Sequence, residues 1–194
     1  MREPLILASL SPTRARILQE WGIAFSQMDS GFDEESLEIS DPAKFAYIAC
    51  MKKLESTLAL LDKRGKLTSA LDSGVLCADS VVSVNGKLLR KARDKQEARN
   101  MLELQDSKHI SILTALAYQS KRASFVDLSA CVLELGKFEP SDMLGYVDSL
   151  AWVGKAGCVM IEGFHKRYIR RQIGLESSAL GLSIEKLVRF LELV

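Results

Sequence analysis

Histidine, cysteine and net charge are all scarce in this chain, and each shortage removes a class of function. The 194 residues include two histidines, His109 and His165. With so few, and with no G-x-S-x-G, a serine-hydrolase triad has no support. Both histidines read as structural or surface residues. Four cysteines, Cys50, Cys77, Cys131 and Cys158, form no C-x-x-C pair. They suggest neither a disulfide framework nor a thiolate zinc site, and they point to a reducing cytoplasm. Lys plus Arg number 26 against 25 Asp plus Glu, a net charge of +1. No global field draws such a chain onto nucleic acid or an anionic membrane, so any basic site is local. No apolar run is long enough to span a membrane, and Glu3-Pro4 before a short apolar run is no signal peptide. There is no P-loop or G-x-G-x-x-G, no internal repeat, no low-complexity tract and no linker.

What is present is an ordinary globular balance, 47% hydrophobic and 26% charged residues. It fits one domain over 1–194, folded as two lobes around a cleft. Leu5 to Ala8 reads as a short strand that empties through Ser9-Leu10-Ser11-Pro12 into a helix carrying Arg14 and Arg16. Ala24 to Met28 is a second strand, and the acidic loop Asp29 to Glu38 follows. Asp41-Pro42 opens a helix to about Leu61. Val75 to Ala78 and Val81 to Val84 are short β-branched segments on either side of Asp79-Ser80. Asn85-Gly86 is a hairpin turn with Lys87 to Leu89 returning. Asp94 and Glu97 make a capping box for a helix through Leu104. Lys108 to Ser120 and Phe125 to Leu135 are β-prone runs able to pair as a hairpin. Pro140-Ser141 starts another helix, Gly154 to Gly157 is a small-residue loop, and Cys158 to Ile161 is strand-like. Ser183 caps a last amphipathic helix. Strands and helices mix without strict alternation, which favours an α/β fold with a mixed central sheet flanked by helices.

Four features carry chemistry if the fold unites them. The opening turn places the Ser9 hydroxyl and Arg14 beside the unpaired N–H groups of a helix start, an anion site. Alternatively it is only a capped helix. Lys52 sits in an otherwise apolar helical face, either snorkelling or reaching a ligand. Asp79 lies between two apolar segments, where it either binds a metal or cation or serves as a turn residue accepting backbone bonds. Lys91 follows the hairpin, with Arg93 near it.

In order along the chain these residues resemble the Maf family, the septum-formation-protein family of nucleoside triphosphate pyrophosphatases. The family's S-x-S-P-R-R is similar to Ser9-Leu10-Ser11-Pro12-Thr13-Arg14. Its D-E loop resembles Asp33-Glu34, its L-A-x-x-K-A helix Ile48 to Lys52, and its G-A-D-T-V-V Cys77 to Val82. Its later motifs resemble Gly86 to Lys91, Gln105 to Ala115 and Tyr146 to Gly157. Thr13 stands where the family has a second arginine, Gly154 where it has Asp, and Glu162 where it has Gln. The resemblance implies a fold shared with inosine-triphosphate pyrophosphatases, and cleavage of a nucleoside triphosphate to the monophosphate and pyrophosphate. It also implies a Mg²⁺ or Mn²⁺ cofactor, a homodimer, house-cleaning of non-standard nucleotides and a link to cell-division arrest. By the same resemblance Asp79 is the general base or binds the metal, and Glu34 is a second metal contact. Ser9, Thr13, Arg14, Lys52, Lys91 and Glu162 are substrate contacts. A carboxylate among so many cations is expected to have a low pKa, and Glu162 to add negative charge beside Asp79 and Glu34. The alternative, suggested by Thr13, Gly154 and Glu162, is a nucleotide- or partner-binding protein without turnover.

Overall fold

The computed structural model describes residues 4–191. Glu3 and both ends of the 1–194 domain lie outside them. The described residues form a seven-stranded mixed sheet in the order β2-β1-β3-β5-β6-β7, with β4 paired to β3. The strands are β1 (Leu5–Leu7), β2 (Phe25–Gln27), β3 (Val75–Val84), β4 (Lys87–Leu89), β5 (His109–Gln119), β6 (Ser124–Leu135) and β7 (Ile169–Ile173). β1 is parallel to β2 and β3, and every other pairing is antiparallel.

Helices α1 (Pro12–Glu20) and α2 (Pro42–Lys63) start as their sequences dictate. Ser11 and Asp41 accept the backbone N–H of Arg14 and Lys44, and a proline occupies the first turn of each. Asn85 and Gly86 take positive φ values of 49° and 78°, the geometry that lets β4 turn back on β3. Asp94 caps α4 (Lys95–Gln105), and Glu97 returns a bond to the Arg93 N–H. The runs read as a hairpin are β5 and β6, paired from His109↔Glu134 to Gln119↔Ser124.

Three apolar clusters hold the described residues together. α2 covers one face of β1, β3 and β5 through Phe45, Ala49, Cys50 and Leu54 against Val75, Cys77, Val81 and Ala115. α1 and α7 (Ile184–Leu191) cover the opposite face, with Leu18, Ile184 and Leu187 on Leu76 and Leu116. The third cluster forms a second lobe. There α4 and α5 (Pro140–Ser149) pack with Phe138, Trp152 and Tyr168 on the far ends of β3, β5 and β6. The long strands β3, β5 and β6 run through both lobes, and the cleft lies where the lobes meet.

Two local expectations are corrected. The β-branched segments around Asp79-Ser80 are one ten-residue strand, so Asp79 is a mid-strand residue and not a turn. Its neighbours pair with β5 without interruption, Asp79 opposite Ala115 and Ser80 opposite Thr114. Cys158 to Ile161 is a turn rather than a strand, because Gly157 and Cys158 both take positive φ values, 55° and 58°. Leu67–Ser73 and Glu176–Ala179 form short helices, α3 and α6, in stretches that carry no periodic signal. No helix among the described residues is long and apolar enough to cross a membrane.

Candidate active site

The cleft is a consequence of strand lengths. β1 stops at Leu7, where it faces Leu76 of β3, and β4 joins the same strand only from Val82. Between these points the β3 edge carrying Asp79 and Ser80 has no neighbouring strand. The connection leaving β1 goes to β2 on one side, and the next crossover, through α2, arrives at β3 on the other. Such a switch point opens a crevice beyond the carboxyl end of the strands. Here it has a volume of about 540 Å³ and is lined by residues from both lobes.

Strand alternation sends Asp79 and Ser80 to opposite faces. Asp79 is 3% exposed and meets Lys53 of α2. Lys53 Nζ also lies 2.5 Å from Glu34 Oε2, and Lys91 Nζ contacts the other Glu34 oxygen. Glu34 begins a 3₁₀ turn, Glu34–Ser36, capped by Asp33. Arg90 clamps that turn, donating to the Glu34 carbonyl at 2.8 Å, pairing with Glu35 at 2.9 Å and stacking over Phe45.

The two carboxylates are driven apart in acidity. Burial pushes Asp79 up to about 6, and the Glu34 charge adds to this while Lys53 and Arg14 oppose it. The low value expected from the surrounding cations is therefore overturned, because desolvation outweighs them. For Glu34 burial also favours the neutral form, but the charge and hydrogen bond of Lys53 and the hydrogen bond of Lys91 win. Glu34 is held well below the usual carboxylate range. Lys53 is raised: burial works against its charge, and the two carboxylates more than restore it. At neutral pH the group is an ionised triad with one anion near its titration point.

On the other face Arg14 is pinned by three acceptors. Nε donates to the Gly181 carbonyl at 2.8 Å, Nη1 to Ser9 Oγ at 3.1 Å and Nη2 to Ser80 Oγ at 3.2 Å. Thr114 completes this set, 2.8 Å from Ser80 Oγ and donating to the Ser178 carbonyl. Ser9, Thr13, Lys155 and Glu162 also line the cleft. Glu162 does not add an unbalanced charge beside Asp79 and Glu34: Arg16 of α1 takes its carboxylate at 2.6 Å. Val82, Ile112, Ala156, Val159, Met160 and Ile161 give the cleft an apolar part, joined to the charged part where Ala156 bridges Lys91.

The structure thus brings Ser9, Thr13, Arg14, Glu34, Asp79, Lys91 and Glu162 to one cleft. It does not bring Lys52. That side chain is exposed and pairs with Glu55 at 2.8 Å on the solvent side of α2. The α2 lysine that enters the cleft is Lys53, one position on and about 100° around the helix. The signal was in the helical spacing: Ala46, Ala49, Cys50 and Lys53 share one face, and the three apolar members are buried. Arg90, Ser80, Thr114 and Gln105, absent from the sequence reading of the site, became visible only through their partners.

Glu34 and Asp79 share a single cation, so both carboxylates face one point. Two hard-oxygen donors match a Mg²⁺ or Mn²⁺ that completes its shell with phosphate oxygens and water. Among the described residues no group of three or more His, Cys, Asp or Glu could hold a metal by itself. With only these two donors from the chain, and Lys53 Nζ already between them, such a cation would take its remaining ligands from phosphate and water.

Comparison with known proteins shows the family. The chain is 43% identical over 189 residues to the nucleoside triphosphate pyrophosphatase of a Helicobacter pylori strain, covering 97% of this chain and 95% of that one. It is 39% identical over 183 residues to the protein of the same description from a Nitratiruptor species, covering 93% and 95%. With that of Campylobacter jejuni subsp. jejuni the identity is 36% over 187 residues, covering 96% and 100%. The family model for Maf-like protein matches residues 4–194, and with its ordered motifs gathered at one cleft the chain belongs to the Maf family.

Proposed function

We propose that this protein is a nucleoside triphosphate pyrophosphatase, hydrolysing its substrate to the monophosphate and pyrophosphate. The observation that carries the reading is Asp79: a buried carboxylate, pushed up to about 6, in a cleft whose other charges are mainly basic. A site that only binds an anion gains nothing from a buried anion at its centre. A site that must take a proton from water needs one, with a pKa near the working pH.

The mixed lining of the cleft supports a placement for the two parts of the substrate. Ser9, Arg14, Lys91, Lys155 and the N-terminus of α1 face the triphosphate, and the apolar part faces the nucleoside. Thr13 and Glu162 also lie on the lining. Lys53 holds Asp79 and Glu34 in place and keeps both anionic. Asp79 takes one proton from a water. That oxygen bonds to the α-phosphorus, the α–β bridging P–O bond breaks, and its electron pair leaves with pyrophosphate. The bonds from Arg14, Lys91 and Lys155 to phosphate oxygens strengthen as charge shifts to the leaving group. Glu34 and Asp79 are the residues that would hold a Mg²⁺ or Mn²⁺, which when bound supplies Lewis-acid charge to the phosphates.

The family's house-cleaning of non-standard nucleotides, its homodimer and a cytoplasmic location belong to this proposal. The four free, buried cysteines agree with a reducing compartment. The test is incubation with common and modified nucleoside triphosphates and Mg²⁺ or Mn²⁺, scoring pyrophosphate and monophosphate. Release that disappears in Asp79→Asn supports the reading. Orthophosphate as the product overturns the bond assignment, and binding without turnover overturns the enzyme.

A further inference from the structure

The apolar wall of the cleft is a turn tied down at its start, where Ala156 bridges Lys91, Gly157 N–H donates to the Arg90 carbonyl at 2.8 Å and Tyr146 donates to the Cys158 carbonyl at 2.9 Å; beyond Cys158 no strand among the described residues pairs with it. Residues 157–163 belong to neither strand nor helix. Two fully buried polar side chains reach it from the second lobe: Gln105, the last residue of α4, and His165. Gln105 Nε2 donates to the Gly157 carbonyl at 2.6 Å. Met160 N–H donates to His165 Nδ1 at 3.1 Å, which leaves the ring proton on Nε2. His165 Nε2 then donates to Gln105 Oε1, 3.0 Å away, and this fixes which end of the amide faces Gly157. The result is one directed chain, Met160 N–H to His165 to Gln105 to the Gly157 carbonyl, with each side-chain polar atom used.

The surroundings make the chain costly unless complete. His165 is packed edge-on against Phe138, Tyr146 and Phe164. Burying an imidazole and an amide in such a cluster is unfavourable when any bond is missing. Burial also pushes His165 down to about 3, so the ring stays neutral and Nδ1 remains an acceptor. The two backbone groups that the chain fixes lie at the start and in the middle of the wall: Met160 itself lines the cleft, and Val159 and Ile161 flank it.

We propose that Gln105 and His165 are positioning residues that hold the 157–162 turn as the nucleoside-facing wall of the cleft. They touch no reacting atom and act through Gly157 and Met160. This assignment rests on the pyrophosphatase reading for its choice of substrate end. Loss of the relay loosens the grip on the nucleoside while leaving the triphosphate site intact.

Gln105→Met keeps side-chain length and removes both bonds. With the best substrate from a panel of UTP, CTP, GTP and ATP, KM is expected to rise about tenfold and kcat to stay within about twofold, the pattern of lost uniform binding. The inhibition constant of inorganic triphosphate, which has no nucleoside, is expected to stay unchanged. Amide hydrogen exchange over 157–162 is expected to quicken. Gln105→Glu, which keeps an acceptor for His165 but no donor for Gly157, is expected to fall between, and it carries the same comparison if Gln105→Met does not fold. Unchanged KM and exchange in a folded variant overturns the proposal, as does equal weakening of nucleotide and inorganic triphosphate, or loss confined to kcat. If the wild type turns over no triphosphate, the functional reading fails. The relay is then judged by the exchange result and by calorimetric binding of the same four nucleotides against inorganic triphosphate. Unchanged exchange, or no difference between the two ligand classes, overturns it there.

Discussion

Lys53 Nζ bridges Glu34 and Asp79, 2.5 Å from Glu34 Oε2 and in direct contact with Asp79 Oδ1. One cation therefore holds two carboxylates that start from distant parts of the chain. Removing one partner of a buried ion pair costs about 3–5 kcal/mol, because the remaining charge is left uncompensated. Lys53→Met is expected to lower thermal stability on that scale and to abolish activity. Lys52→Met removes only an exposed pair with Glu55, and it is expected to change stability by less than about 0.5 kcal/mol and activity not at all. Paired melts and initial rates of the two variants check this.

Asp79 sets the acid limb of the pH profile. With the carboxyl pushed up to about 6, kcat/KM is expected to fall as pH drops through that value, because the protonated form cannot take a proton from water. Asp79→Asn is expected to lose at least about a hundredfold in kcat. Stability responds to pH in the opposite direction. A raised folded-state pKa gives stability that is complete below the unfolded value of 3.8 and lost as pH rises through about 6. Ionised Asp79 is thus a cost to the fold at pH 8, and Asp79→Asn is expected to melt no lower than wild type there. Rate profiles and melts across pH 5–8.5 measure both.

His165 contributes to acid sensitivity. Its pKa falls from 6.5 to about 3 on burial, so the unfolded chain binds the extra proton between those values and the folded one does not. Stability from the neutral ring is complete above about 6.5 and is lost as pH falls toward 3. Denaturant melts at pH 7 and 4.5 are expected to show the drop. His165→Phe, though less stable throughout, is expected to show a shallower one. The side chains packed around the ring, Phe138, Tyr146, Phe164 and Gln105, carry no charge that offsets this.

Gly157 is needed for space as well as conformation. A Cβ there would lie 2.7 Å from Val82 Cβ at a φ of +55°. Gly157→Ala is expected to cost about 1–3 kcal/mol and to push the nucleoside wall away from β3. A lowered melting temperature together with a raised KM for the nucleotide checks it.

The sequence by itself determined what depends on neighbours along the chain. Ser11-Pro12 and Asp41-Pro42 start helices because cap and first turn are adjacent residues. Asn85-Gly86 turns the hairpin because both accept positive φ. The ordered motifs marked Ser9, Arg14, Glu34, Asp79 and Lys91, and the structure sets all five around one cleft. Tertiary structure decided whatever depends on burial or on distant partners. A single step along α2 separates Lys52 from Lys53, and only packing against β3 selects which one meets Asp79. The acidity of Asp79 is a contest between desolvation and nearby cations, and its outcome needs the depth of burial. Arg16 meets Glu162 from 146 positions away, and His165 reaches Gln105 from 60. Such pairs carry no local signal, because the physics that joins them acts through space and not along the chain.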